Sequence, residues 1–186
     1  MRIVIALLIV VGIVVLVLLY GVYAYNRLVR LRVRTENAWS QIDVQLRRRH
    51  DLIPNLVESV KGYAAHEREL FEEVARLRSQ AQSSQGVQAT AQAETQLTRG
   101  ISKLIAVAEQ YPDLKANQNF LALQEELTGT ESKIAYARQF YNDTVQSLNT
   151  KIQSFPSSIV AGLGHFAPRE FFETEEPARG PVAVQF

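Results

Sequence analysis

The side chains able to do chemistry are few and scattered. His50, His66 and His165 are the only histidines, and imidazole is the side chain whose ordinary pKa suits proton transfer near neutrality. None stands at a metal-ligand spacing from another, and His66-Glu67 lacks the HExxH register that sets two imidazoles on one helix face. The chain has no Gly-rich phosphate loop, no GxSxG elbow and no GxGxxG after a strand. Zero cysteines exclude thiolate metal sites, cysteine nucleophiles, disulfides and lipidated cysteine anchors, and say nothing about compartment. The carboxylate pairs Glu72-Glu73 and Glu125-Glu126 read as solvated helix faces. Glu131 differs: it follows a gap in the apolar pattern at Gly129 and is expected nearer the core, which makes it the first acid to substitute. These residues give a non-enzymatic reading, with no catalytic residue, no metal, no cofactor and no small-molecule substrate identified.

Arginine is the more informative residue type. Arg47, Arg48, Arg49 and His50 run together ahead of Asp51. One reading is a solvated helix end, where cations offset the helix dipole and Asp51 caps the next helix. The other is a surface for an acidic partner, so Arg47, Arg48, Arg49 and Glu131 are the candidate partner-binding residues. Lipid is a poor partner for that cluster. On a straight helix Arg48 would stand roughly 30 Å from the bilayer, beyond the Debye length of about 8 Å. A second group, Arg27, Arg30, Arg32 and Arg34, crowds the C-terminal flank of an apolar run. Each basic residue there gains about 1 kcal/mol against an anionic leaflet, so these four are read as membrane-interface residues.

The apolar run positions everything else. Residues 3–25 carry no charge, and about 20 apolar residues in a helix span the roughly 30 Å hydrocarbon core of a bilayer. A cleaved signal peptide is the competing reading, with Val22-Tyr23-Ala24 as a loose cleavage pattern. The run exceeds the roughly 7 to 15 residues of a signal h-region, and Arg2 is the only charged side chain before it, so an anchor fits better. The positive-inside rule then keeps the arginine flank in the cytoplasm and the N-terminus outside. About 160 residues follow, enough for one domain with a core. The formal net charge of +1 gives no general attraction to nucleic acid.

Those residues read as helix almost throughout. Leu28, Leu31, Thr35, Ala38, Ile42, Leu46, Ile53, Leu56, Val60, Tyr63, Leu70, Val74 and Leu77 follow steps of three and four, interrupted at Arg49 and Glu67. Pro54 lies inside this seam, so the chain either kinks or turns between Arg49 and Pro54. A Gln/Ser/Ala-rich stretch over residues 78–92 carries Gly86 as its breaker. A helix is predicted over about 88–110, with Ala93, Leu97, Ile101, Leu104, Ile105 and Ala108 as its stripe, ending at Tyr111-Pro112. The last long helix runs from Phe120 through Leu127, Ile134, Tyr141 and Leu148 to Phe155. Gly129 interrupts it, as a close approach to another helix or as a weak point. Trp39 is expected as a core anchor. The polar seam neighbours Asn37, Gln41, Asp43, Asn55, Asn119, Asn142 and Asn149 are expected to fix register between helices, with a functional polar groove as the alternative. Ser157 or Ser158 is placed to cap a short helix through Leu163, and residues beyond about 179 read as disordered.

Two stretches carry a more specific signal. Residues 25–67, with AWSQIDVQLRRRHDLIPNLV, and residues 111–161, with YPDLKAN, closely resemble the LemA family of bacterial membrane proteins. The resemblance implies an all-α fold: an N-terminal transmembrane helix followed by an antiparallel bundle of four long helices, mostly cytoplasmic. It favours a turn over a kink near Pro54. Together with the apolar run and the change of composition after Pro156, it gives an expected division into an anchor (1–26), a helical bundle (27–165) and an acidic and aromatic tail (166–186), partly disordered, which lies outside the resembling motifs. It implies no chemistry, since the family has no established biochemical activity; a magnetosome protein belongs to it, which points to work in organising membranes. Two functions follow as expectations. One is a scaffold at the bacterial inner membrane that touches lipids and self-associates or docks other membrane proteins. The other is a binding or sensing module with a polar pocket between helices.

Overall fold

A computed structural model describes residues 1–173, and among them every regular element is helical. The order is α1 (Arg2–Lys61), α2 (Arg68–Ser83), α3 (Val87–Ala108), α4 (Pro112–Lys115), α5 (Gln118–Gln153) and α6 (Ser157–Leu163). The expected disorder beyond 179 lies outside the described residues. The helices form two compact units, one made of Met1–Ser40 with Phe140–Arg169, the other of Gln41–Gln139 with residues 170–173.

In the second unit the apolar seams meet as their spacing requires. Ile53, Leu56 and Val60 of α1 share a core with Phe71, Val74, Leu77 and Ala81 of α2, Leu97, Ile101 and Leu104 of α3, Leu114 of α4, and Phe120 and Leu127 of α5. Gly86, at φ 86°, stands at the N-cap of α3 in a backbone region that costs glycine little. The YPDLKAN stretch acts through its ends. Pro112 occupies the first turn of α4, where its missing N–H is no loss. Asn117 Oδ1 accepts the backbone N–H groups of Asn119 (2.9 Å) and Phe120 (3.3 Å), which satisfies two of the orphan donors that open α5.

Two expectations are corrected in this unit. No turn occurs at Pro54: α1 runs through it, Asp51 lies within the helix rather than at a cap, and the chain turns between Lys61 and Arg68. Pro54 removes the hydrogen bond that the carbonyl four residues back would have accepted. That carbonyl belongs to His50, and Arg78 Nε of α2 donates to it at 2.7 Å. Gly129 is not a close approach either, since a Cβ built there would meet nothing within 4 Å. The close approach is at Gly100, where a Cβ would fall 2.9 Å from Leu77 Cδ1.

The first unit holds the apolar N-terminal part of α1, whose residues 3–19 are all exposed. The segment is long and apolar enough to cross a membrane. Below it, Leu28 and Leu31 pack with Leu148 of α5 and Ala161 of α6, joined by Ile152, Val160 and Phe166. Trp39 is only half-buried, tilted against Tyr141 with ring centroids 5.6 Å apart. Ser157 does not cap α6. Its hydroxyl hydrogen is shared instead between the carbonyls of Lys151 (2.7 Å) and Ser154 (2.8 Å), the second of which also accepts the Ser158 N–H (2.8 Å). Asn149 pins the segment after α6: its Nδ2 donates to the Arg169 carbonyl (2.8 Å) and its Oδ1 accepts the Arg169 N–H (2.9 Å).

Candidate functional site

The densest polar arrangement lies inside the second unit. Arg49 is 2% exposed, although its position follows the α1 seam between Leu46 and Ile53. Seam phase carries the guanidinium inward, and it persists there because carboxylates meet it. Its Nη2 donates to Glu94 Oε2 of α3, and its Nη1 to Glu131 Oε1 of α5 (2.7 Å) and Thr98 Oγ1 (3.1 Å). The second oxygen of Glu94, Oε1, lies 2.8 Å from His50 Nε2. A carboxylate only accepts, so Nε2 carries the proton of a neutral ring. Burial, followed by the positive charges of Arg49 and Arg78, lowers the His50 pKa from 6.5 to about 4. The negative charges of Asp51 and Asp43 oppose that shift without cancelling it.

The cluster thus draws on four helices: Arg49 and His50 from α1, Arg78 from α2 through the His50 carbonyl, Glu94 and Thr98 from α3, and Glu131 from α5. Chemically it is closed. Arg49 Nε is buried with no hydrogen-bond partner among the described residues, and both oxygens of Glu94 are taken up by neighbours. Such a group fixes which helices face one another and at what register.

The candidate residues separate accordingly. Arg49 and Glu131 come together across α1 and α5. Arg48 pairs with Glu126 at 2.7 Å, half in solvent. Arg47 stays on the surface and, among the described residues, is bonded within α1 to Asp43 at 2.8 Å. In the first unit Arg27 and Arg30 are exposed, Arg32 lies 5.5 Å from the Phe166 ring centroid and Arg34 5.3 Å from that of Phe140. Asn37, Gln41, Asn55 and Asn119 are exposed and line no interior groove.

The residue that sequence reasoning missed is Glu94. Its signal was present: it falls in phase with Thr90, Leu97, Ile101 and Leu104, all buried on α3. An acid in one seam and an arginine in another is the pattern of a buried pair.

The sequence pattern of the LemA family matches residues 38–186. The chain belongs to the LemA family. The matched region contains Arg49, His50, Glu94 and Glu131 but begins after the apolar run and the juxtamembrane arginines. Among its relatives, this LemA-family chain is similar to magnetosome protein MamQ 2 of Paramagnetospirillum magneticum, 25% identical over 83% of this chain and 66% of that protein. It is also similar to protein LemA of Metamycoplasma hominis, 31% identical over 73% of this chain and 63% of that protein. Magnetosome protein MamQ of Magnetospirillum gryphiswaldense is 23% identical over 83% of this chain and 66% of its own length. The chain therefore spans about two thirds of the relatives it matches.

Proposed function

We propose that this protein is a single-pass, membrane-anchored, non-catalytic scaffold of the bacterial inner membrane. Its N-terminus lies outside, and an antiparallel bundle of four long helices docks partners or further copies on the cytoplasmic side. The observation that carries the reading is α1 itself. One unbroken helix holds both a wholly exposed apolar segment and the seam that packs the bundle core. Such a helix conveys attachment directly to whatever binds the bundle, and tethering raises the effective concentration of partners in the membrane plane. Both oxygens of the buried Glu94 carboxylate are taken up by Arg49 and His50, which fits a structural role, and the likeness to proteins named for the magnetosome supports the same reading.

The docking surface we assign to α1 includes Val44, 60% exposed, and Arg47, whose ion pair among the described residues is local, to Asp43. Photo-crosslinking in cells from position 44 or 47 of the full chain, followed by mass spectrometry, should capture a specific membrane protein or a second copy. A protein that stays monomeric and partner-free from both positions overturns the scaffold.

One observation favours a second reading. A groove of about 600 Å³ lies where α1 meets α2, with Phe71 and Val57 in its wall and Lys61, Arg68 and Glu72 at its lining. A sensing module would take a ligand there. Such a ligand should raise the melting temperature of the native protein and leave that of Ala75→Trp, which fills the groove, unchanged.

A further inference from the structure

The turn before α6 and α6 itself present an apolar face beside the point where α1 leaves its apolar run. Phe155 is 81% exposed, Ile159 57% and Leu163 79%. Ile159 and Leu163 are four apart and therefore share one face of the helix. Singly exposed apolar residues are ordinary, but three on so short a segment form a patch that needs a partner.

Its place against α1 identifies that partner. Ala161, on the opposite side of α6, shares a core with Leu28 and Leu31. Phe166, just after α6, stacks edge-on against Tyr25 with centroids 5.6 Å apart. Ala24 is fully buried, Tyr20 and Gly21 are half-buried and residues 1–19 are exposed, so the cover that the fold gives α1 is complete at residue 24 and has ended by residue 19. The apolar run reaches Tyr25, and at 1.5 Å per residue it is about 35 Å long, slightly more than the roughly 30 Å hydrocarbon core. Residues 24 and 25 therefore stand at the lipid boundary, and the segment covering them stands there too. Tyr20, Tyr23 and Tyr25 supply the aromatic belt expected at that level.

Charge is arranged to match. Residues 154–169 contain no aspartate or glutamate, in a chain with 19 acidic residues. The nearest cations on α1, Arg27 and Arg30, are exposed at the same level. A segment that rests on an anionic leaflet must avoid carboxylates, whereas a surface for a protein partner has no such need.

We infer that the turn at Phe155 and helix α6 form an interfacial foot, which inserts Phe155, Ile159 and Leu163 into the headgroup–acyl boundary of the membrane that α1 crosses. This rests on the anchored reading of α1. The insertion depth expected for such an element is about 5 to 10 Å. Together, α1 and the foot hold the first unit at two points instead of one, which restrains its rotation about the α1 axis.

The absence of cysteine makes the test direct. Leu163→Cys, Leu8→Cys and Gln82→Cys variants of the full chain, each carrying a polarity-sensitive fluorophore, are reconstituted into vesicles of phosphatidylcholine and phosphatidylglycerol. Nitroxide lipids labelled near the headgroup should quench the Leu163 probe several-fold more than the Gln82 probe, and more than lipids labelled near the chain end do. A probe at Phe155→Cys should be quenched likewise, and adding Ile159→Asp with Leu163→Asp should abolish its quenching; both side chains are exposed, so the fold is retained. If the Leu8 probe is quenched and the Leu163 probe matches Gln82, the anchor stands and the foot is overturned. A Leu163 probe that is blue-shifted yet unquenched by lipid nitroxides has met protein, which also overturns it. An unquenched Leu8 probe removes the anchor and the foot together.

Discussion

Removing the charge of Glu94 should cost more stability than breaking any exposed ion pair in the chain. Arg49 and Glu94 are 2% and 5% exposed, and a buried charge stripped of its partner typically costs about 3 to 5 kcal/mol. Glu94→Gln keeps the shape and one acceptor but leaves Arg49 with only the partly exposed Glu131 carboxylate. Urea denaturation should show a loss of about 3 kcal/mol. Asp43→Asn, which breaks the exposed pair to Arg47, should change stability by less than about 1 kcal/mol. His50 gives the pH dependence. Its pKa is about 4 in the folded protein and 6.5 when free. Between those values the unfolded chain binds a proton that the folded one refuses, so stability falls as pH drops through that window. The slope is up to about 1.4 kcal/mol per pH unit, and it flattens once the folded protein also protonates. Denaturation at pH 7, 5.5 and 4.5 should show this loss in the native protein, and His50→Asn should reduce the slope by about one proton's worth.

At the scale of the element, the continuity of α1 through Pro54 depends on α2. Proline in a helix interior costs about 3 kcal/mol, partly because one carbonyl is left without its donor. Here Arg78 Nε supplies a replacement at 2.7 Å. Arg78→Met should therefore cost about 1 to 3 kcal/mol in the native background. In Pro54→Ala, where residue 54 regains its N–H and can bond the His50 carbonyl, the same change should cost clearly less. A double-mutant cycle on thermal unfolding measures that coupling, and equal losses in both backgrounds would remove the argument. The helix ends were more legible than this interior. Gly86, Pro112 and Pro156 act on their own backbone or on their immediate neighbours, so their effects could be read from the chain within a residue or two. Gly129 misled, because a missing side chain looks the same in sequence whether it admits a neighbour or faces open space.

For the whole molecule, the proposed orientation in the membrane rests on local charge, since the net charge is only +1. Arg32 and Arg34 lie over aromatic rings, whereas Arg27 and Arg30 are exposed. Substituting the latter two with Gln tests topology without disturbing packing. In cells, a cysteine at Gln82 should resist an impermeant maleimide in the native background and become partly labelled in Arg27→Gln/Arg30→Gln. Full labelling in the native background would reverse the proposed topology.

The amino-acid sequence alone determined the features that arise from interactions a few residues apart. These are an apolar run long enough to cross a bilayer, the three-and-four spacing of the helical seams, the breaks at Gly86 and Pro112, and the motifs that mark the family. What only the tertiary structure decided is which interrupted seams answer each other. Arg49 and Glu94 are 45 residues apart, and Arg78 lies 28 residues from the carbonyl that it satisfies. The chain states where a charge enters a seam, but the free energy that keeps it there comes from a group on another helix, and distance along the chain carries no record of that meeting.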